Sequence, residues 1–412
     1  ASDVYKRQSF SFDNTETAAN VDEDIIDSLT GGRLVGSVTS FENFAECPLR
    51  YYLRYGVDLK EREEFTFSPV NFGVVLHAVI REVCDEIKKN GESYYLISEE
   101  KRREMVKRSV AAITDIYQNS ILKDSSRNSF MIKRMEDLAD RTVWAMGEQL
   151  KCGDFVPFVF EHKFNMEVGD GDRKQLMSGT IDRVDICENG TDVYVRIIDY
   201  KTGKKDFNIV KTYYGIDIQL MVYMEAAMKL VAKMRPGKNV IPAGVFYYNI
   251  SDPIVSATTE SAEEIEDKIK GELRLKGMVN SDKDIAEKMD NTGGTSLNIP
   301  VSRKADGGFD SRRSKVMNTE QFNMLGRFVD VRAVDTADRI AGGDIRRSPY
   351  KDGQFSSCDR CPYGAVCGFS VDLPGCNYRK LKKFDDEVLW NNIKEGVDEN
   401  GKKMDTGAEE RD

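Results

Sequence analysis

Residues 179–223 constrain the fold more than any other stretch, because they dictate a β-hairpin followed by a helix. Residues 176–187 and 193–199 are rich in Ile and Val with partial alternation, the pattern of strands. Between them stands Glu188-Asn189-Gly190-Thr191, and Asn-Gly is the strongest short hairpin signal. With Asn189-Gly190 as a two-residue loop, Glu188 faces Thr191 and Asp182 sits opposite Ile197. Side chains alternate along a strand, so Asp199 and Lys201 share the face of Asp182. Asp185 points to the other face, so replacing it is expected to have only a mild effect on the site. Two carboxylates and a lysine then converge, the carboxylates diagonal at roughly 7–8 Å between backbones. A slip of one residue would turn every side chain over, so the inference stands on the register.

Paired carboxylates on a rigid sheet suit Mg²⁺, a hard cation that takes oxygen ligands and keeps several waters. Such an ion polarises a phosphodiester and activates water. Lys201 would orient that water or balance charge on the phosphate. From these residues alone, a strand end and turn with a solvated Asp182 reads equally well. After Gly215 the pattern turns helical, with Ile218, Val222 and Ala226 on one stripe and Gln219 and Tyr223 on its neighbour.

The chain has 412 residues, room for one to three domains. Its net charge of −10 argues against a protein held to nucleic acid by global charge. Any polyanion must meet a local basic surface. No apolar run approaches a membrane span and no signal-peptide pattern opens the sequence, so no membrane and a cytoplasmic location are expected. Residues 1–35 read as a polar tail or linker. The segment 31–37, GGRLVGS, lacks the lysine of a phosphate loop, and no Walker motif occurs elsewhere.

Residues 39–42, Thr-Ser-Phe-Glu, match a capping box opening a helix with Phe41, Phe44 and Ala45 on one side. Residues 72–89 form a helix whose apolar stripe is Leu76, Val79, Ile80, Val83 and Ile87, with His77 at its edge. Residues 98–122 and 130–151 read as inserted charged helices. A strand spans 155–164 and carries Glu161, with His162 on its other face. Residues 243–250 read as the last core strand, 259–289 and 319–341 as helices, and 376–412 as a charged tail. Between Asn291 and Lys315 lie Arg303, Lys304, Arg312 and Arg313 in a Gly- and Ser-rich segment, the best basic loop in the chain.

Eight cysteines in so long a chain are not a secreted disulfide scaffold. Cys358, Cys361 and Cys367 pack three thiols into ten residues, which means a metal or cluster site. Such sites want four ligands, so one is missing. Cys376, completing a zinc site, and Cys47, which precedes Pro48, both remain open from spacing alone.

GTIDRVD (179–185), IIDYKTG (197–203) and Gln219-Leu-Met-Val-Tyr223 together resemble the RecB-like branch of the PD-(D/E)xK nuclease superfamily. Phe72-Gly-Val-Val-Leu-His77 resembles that branch's helix that lends a histidine to the metal. A cysteine before proline, a nuclease core, then C-x₂-C-x₅-C is similar to its iron–sulfur members, in particular the nuclease domains of AddAB-type helicase–nucleases. The resemblance covers about residues 36–375. It implies an α/β fold: a central mixed sheet flanked by helices, with helical insertions at about 90–151 and 259–347 and a cluster joining the ends. It implies Mg²⁺ or Mn²⁺ held by His77, Asp182, Asp199 and the Tyr200 carbonyl, with Lys201 assisting catalysis. Glu161 matches a position where the branch often carries a carboxylate; a metal role and an ordinary strand Glu both remain open. Gln219, Tyr223, Arg312 and Arg313 are the candidate DNA contacts. Cys47, Cys358, Cys361 and Cys367 would hold a 4Fe-4S cluster, leaving Cys84, Cys152, Cys187 and Cys376 as free thiols.

The activity implied is exonucleolytic cleavage of DNA, of a single strand or a duplex end, with an AddA-type helicase partner in break repair and recombination. Two alternatives stay open: a non-catalytic DNA-binding scaffold, and a stand-alone CRISPR-associated-type nuclease. The helicase-like region that accompanies such nuclease domains is not in this sequence, which fits either a piece of a longer protein or a separate relative.

Overall fold

The computed structural model describes residues 20–22, 35–60, 69–117, 126–168, 175–255, 261–373 and 375–409. In chain order, β1 (Val35–Ser37) leads into α1 (Val38–Glu46), whose N-cap is Ser37 accepting from the Ser40 amide. α2 (Pro48–Tyr51) starts on a proline, where a missing N–H costs nothing. Three long helices follow: α3 (Pro69–Lys89), α4 (Glu99–Tyr117) and α5 (Ser126–Lys151). The antiparallel run is β2 (Val156–Val168), β3 (Gln175–Asn189) and β4 (Asp192–Lys201). Then come α6 (Ile209–Tyr213), α7 (Gln219–Met234) and β5 (Asn239–Asn249). α8 (Ala262–Glu272), β6 (Lys276–Asn280), α9 (Lys283–Met289) and β7 (Val316–Met317) extend the sheet. The end of the chain holds α10 (Thr319–Ala341), β8 (Tyr350–Asp352), β9 (Phe355–Ser356), α11 (Gly364–Cys367), β10 (Arg379–Lys380) and α12 (Asp386–Glu409).

The main sheet is mixed, as expected. β2 lies antiparallel along one edge of β3. The other edge of β3 is shared: β1 runs parallel beside Leu176–Ser178, and β4 runs antiparallel beside Arg183–Asn189. β5 is parallel to β4, β6 antiparallel to β5 and β7 parallel to β6. Each face buries its own core. Ile198, Tyr200 and Phe246 pack with Leu76, Val79, Ile80 and Val83 of α3 and with α4 and α5. Val195, Ile197 and Tyr247 pack with α7, α10 and α12. The sheet is thus sandwiched between two helical layers, and period-two alternation assigns β4 and β5 residues to one or the other.

Several expectations are corrected. The hairpin loop is Gly190-Thr191, with Gly190 at φ +61 and Asn189 paired to Asp192. The shift is even, so face assignments survive it. Residues 259–289 contain β6, so β5 is not the last core strand; five residues between two helices give no periodic signal. Gly277 in β6 is obligatory, since a Cβ there would meet the Val245 carbonyl oxygen at 1.9 Å. The 39–42 capping box does not form, because Ser37 caps α1. Residues 376–412, read as a tail, include β10 and α12, whose Leu389 and Ile393 are buried against the core. Most of residues 1–35 lie outside the described residues, but Val21 donates to the Gly343 carbonyl and Val35 is already in the sheet. Among the described residues, no helix is long and apolar enough to cross a membrane.

Asp185, placed by the sequence on the other face from Asp182, has a role in the fold. Its carboxylate takes two hydrogen bonds from Arg183 (2.7 and 2.6 Å) and one from Arg196 (2.9 Å), and all three residues are at most 1% exposed. Burial alone would raise the Asp185 carboxyl; the two guanidiniums outweigh it and hold it below the ordinary carboxylate range. Asp185→Ala leaves buried guanidiniums uncompensated and is expected to cost about 3–5 kcal/mol of stability, read by denaturant unfolding. Because the folded pKa is depressed, the stability this group contributes is fully present above the unfolded carboxylate pKa of about 4. It disappears as pH falls through the folded value. The acid limb of the wild-type stability curve should therefore be steeper than that of Asp185→Asn.

Candidate active site

The site lies where β3 and β4 fork. Their ladder ends at Arg183↔Ile198, while β4 continues beside β5 to Lys201↔Asn249. β1 takes up the same edge of β3 only at Ser178. In the opening, the Tyr200 amide donates to Asp182 Oδ2 at 2.6 Å, so a side chain stands in for the missing strand partner. Alternation on β3 slips here, since Ile181 and Val184 belong to the same core. The register extended by one position sets Asp182 across from Asp199. The two carboxylates therefore meet across a fork, directly opposed one step beyond the end of the ladder.

Three ligand groups converge, those of His77, Glu161 and Asp182. His77 Nδ1 lies 3.5 Å from Asp182 Oδ1 and 3.8 Å from Glu161 Oε1. Ligand atoms of His77, Glu161 and Asp182 all fall within 4.8 Å of one another. Glu161 occupies the position between the pairs Phe160↔Arg183 and His162↔Ile181, and so faces Asp182. Its φ is +49, the left-handed region that costs a non-glycine residue about 1–2 kcal/mol. Strain of this kind collects at functional sites. The sequence left two roles open for Glu161; the structure brings it into the cluster.

The electrostatics match an ion site. Burial lowers the His77 imidazole, but hydrogen bonds to Asp182 and Glu161 outweigh it and push it up to about 10. Burial first, then the charge of Asp182, pushes the Asp199 carboxyl up to about 7 against the opposing pull of Lys201. Lys201 Nζ sits 2.6 Å from Asp199 Oδ2. Imidazole with carboxylates is a mixed N/O donor set that fits Mg²⁺ or Mn²⁺.

Lys201 is held from behind. It donates to Gln219 Oε1 (2.9 Å), and Gln219 Nε2 is 2.9 Å from the Tyr223 hydroxyl. Tyr223 packs edge-on against Phe164. Gln219 and Tyr223, expected on the DNA, are 8% and 5% exposed and form this support. Tyr200 points its ring toward His77 and Tyr248. Arg312 and Arg313 are exposed, whereas Arg303 donates to the Ala286 and Asp290 carbonyls and Lys315 pairs with Asp206 in the loop after Lys201. Sequence reasoning missed Glu42, Lys205, Asp217 and Tyr247. Glu42 accepts from the Ile218 and Gln219 amides, Lys205 pairs with Asp217 at 3.1 Å, and Tyr247 donates to Asp217 at 2.7 Å. Their contacts span up to 177 residues, beyond any local pattern.

A second constellation gathers Cys47, Cys358, Cys361 and Cys367 around one pocket with Leu49, Arg347, Pro349 and Phe369. All four are free thiols. Burial raises the Cys47 thiol and lifts that of Cys358 to about 11, and a bound cation would favour their thiolates. Cys376 is buried outside this pocket's lining, and Cys84 and Cys187 lie in the α3–α5 core.

The PD-(D/E)XK nuclease superfamily model matches residues 36–368. The chain is similar to the B subunit of the ATP-dependent helicase/deoxyribonuclease of Thermoanaerobacter sp. (strain X514), 33% identical over 380 residues, which is 90% of this chain and 33% of that protein. Its counterpart from Lachnoclostridium phytofermentans is 33% identical over 399 residues, and that from Clostridium acetobutylicum 34% over 383. These cover 94% and 90% of this chain and 34% and 33% of the relatives, so the chain spans about a third of their length. The relatives are of the AddB type, the resemblance expected from the motifs. A family match over most of the chain and a catalytic-type carboxylate cluster at the fork agree, and the chain belongs to the PD-(D/E)XK nuclease superfamily.

Proposed function

We propose that this chain is a divalent-metal-dependent deoxyribonuclease, the nuclease part of an AddAB-type helicase–nuclease. The observation that carries it is the convergence of His77, Glu161 and Asp182 beside Asp199 and Lys201 in one fork of the sheet. PD-(D/E)XK nucleases generally use divalent metals. Here His77, Asp182, Asp199 and Glu161, with the Tyr200 carbonyl, would hold Mg²⁺ or Mn²⁺. When bound, such an ion polarises the scissile phosphate and lowers the pKa of water. Lys201, fixed between Asp199 and Gln219, faces the reacting phosphate and balances charge as it builds in the transition state. Asp182 and Glu161 keep His77 oriented.

Its substrate is single-stranded DNA or a duplex end, delivered by an AddA-type helicase partner, and its cleavage is exonucleolytic. The relatives' name supports the DNA substrate and the motor partner. Exposed Arg312 and Arg313 supply backbone contacts to the strand. Cys47, Cys358, Cys361 and Cys367 hold a 4Fe-4S cluster. Their side chains line one pocket, which supports a group held by all four.

The deciding assay uses end-labelled single-stranded DNA with and without Mg²⁺. Cleavage is expected only with metal, and Asp199→Ala should reduce it to background in a folded protein. Lys201→Ala should lower the rate by about 10²–10³-fold with DNA affinity kept. A chain that binds DNA but never cleaves would make it a scaffold instead. In Mn²⁺ titrations, His77→Ala and Glu161→Ala should each weaken binding at least as much as the roughly 10–100-fold typical of losing an outer partner.

Two further outcomes are expected. Replacing Arg312 and Arg313 with alanine should flatten the salt dependence of single-strand binding by about 1.4 in log–log slope, at about 0.7 per lost phosphate contact. Cys47→Ala should lose iron and lower the melting temperature, whereas Cys84→Ala and Cys376→Ala keep full iron. Zinc in place of iron after anaerobic purification would overturn the cluster assignment.

A further inference from the structure

We propose that Glu42 is a positioning residue for cleavage, setting the catalytic Lys201 from the opposite end of the chain by capping α7. The proposal rests on the nuclease reading above and adds a residue that the sequence offered only as part of a local capping box.

The geometry is a short relay. Glu42 lies mid-way along α1, and its Oε1 accepts from both the Ile218 and Gln219 amides at 2.9 Å. Ile218, the residue at the N-cap of α7, makes no side-chain cap bond of its own. The first amides of a helix have no partner within it, so an acceptor brought from elsewhere settles them. Glu42 therefore does for α7 what a local Ser or Asp usually does. Its negative charge also sits at the positive end of that helix.

What begins α7 also holds the site. Gln219 is the first residue of the helix, and its side chain takes the Lys201 ammonium on Oε1 while its amide nitrogen lies beside Tyr223. A rotation of the first turn would move Gln219 Oε1 away from Lys201, leaving Asp199 as the polar group that holds it. Pairing with Asp199 alone draws Lys201 back onto a metal-site carboxylate and off the phosphate. Glu42 thus acts on Lys201 through Gln219, without touching substrate.

The surroundings are those of a fixed polar group. Burial pushes the Glu42 carboxyl up to about 7, against Lys205 and Lys201. Asp217, bonded to Lys205 and Tyr247, lies among the charges it feels. Neutral or charged, the side chain still presents an oxygen to the two amides. Glutamine at this position should therefore preserve the contact, and alanine should remove it.

The test compares Glu42→Ala and Glu42→Gln in the full chain, with iron content and melting temperature recorded for both. Three quantities are read: the single-turnover cleavage rate, the DNA affinity in Ca²⁺, and hydrogen exchange of the Ile218 and Gln219 amides. Glu42→Ala should cleave about 10–100-fold more slowly, the range for losing a supporting partner, at unchanged DNA affinity and unchanged iron. Its two amides should exchange faster. Glu42→Gln should recover most of the rate and of the protection. Wild-type cleavage in Glu42→Ala, a glutamine variant as slow as the alanine one, or a loss confined to DNA affinity would overturn the proposal. So would unchanged amide exchange. Absence of cleavage in the wild type would defeat the nuclease reading alone, because amide exchange still decides whether Glu42 caps α7.

Discussion

The hydrogen bond from the Tyr200 amide to Asp182 is the contact on which the site depends. Two neighbouring strands in a sheet normally satisfy each other's backbone groups, and a buried amide without a partner is costly. β3 and β4 part after Arg183↔Ile198, so the Tyr200 amide loses the carbonyl that a continued ladder would offer. A carboxylate oxygen replaces it. The same act that allows the strands to part fixes one metal-type carboxylate, leaving its second oxygen toward His77. On the far edge of β3, the left-handed residue Glu161 brings a further carboxylate to the same point. Fork, strain and ligand geometry are one feature.

Charge then separates two aspartates that stand three residues apart in GTIDRVD. Asp185 is enclosed by Arg183 and Arg196 and takes three hydrogen bonds from them, so its charge is already paired. Asp182 shares its surroundings with Asp199 and Glu161, and the cations facing these are His77 and Lys201. Burial and mutual repulsion keep Asp199 easy to protonate. A divalent cation relieves that repulsion directly, which is a physical reason for the site to bind one. The triad beside it serves the fold, and three charge-assisted bonds offset part of its cost of desolvation.

Much of this was legible in the sequence, and the failures have a common cause. The hairpin, the carboxylate pair, the helix of His77 and the thiols at 358, 361 and 367 are local patterns or fixed spacings. Face assignment survived an error in the position of the loop only because the resulting shift was even. Gly190 takes the positive φ that the Asn-Gly signal predicts, yet as the first loop residue and not the second. What was lost is long-range or short. Glu42 looked like half of a capping box with Thr39, but its partners lie 176 and 177 residues away. The turn of Glu161 into the site needs a backbone conformation that glutamate rarely adopts, so alternation could not reveal it. β6 is five residues between helices, and α12 hides Leu389 and Ile393 among charges. Gln219 and Tyr223 were seen as a pair, but their burial depends on Phe164 and Lys201 from other strands.

α1 joins the two constellations. Glu42 in its middle caps α7, and Cys47 at its C-terminal end enters the four-cysteine pocket. The pocket draws the ends of the chain together: Ser357 Oγ donates to the Glu46 carbonyl across 311 residues, and the Leu49 amide to the Arg346 carbonyl. Contacts this distant carry a loop-closure cost that a few hydrogen bonds offset poorly. A group binding all four sulfurs would fix Cys47 in the folded state and tether α1 against the rest of the domain. In the analogous case of a disulfide such closure contributes about 2–5 kcal/mol, comparable with a large share of a domain's net stability. α1 is nine residues long, with that tether at its end and the polar relay to Lys201 at its middle. Such a tether would bear on the fork through α1, whose middle residue holds the first turn of α7.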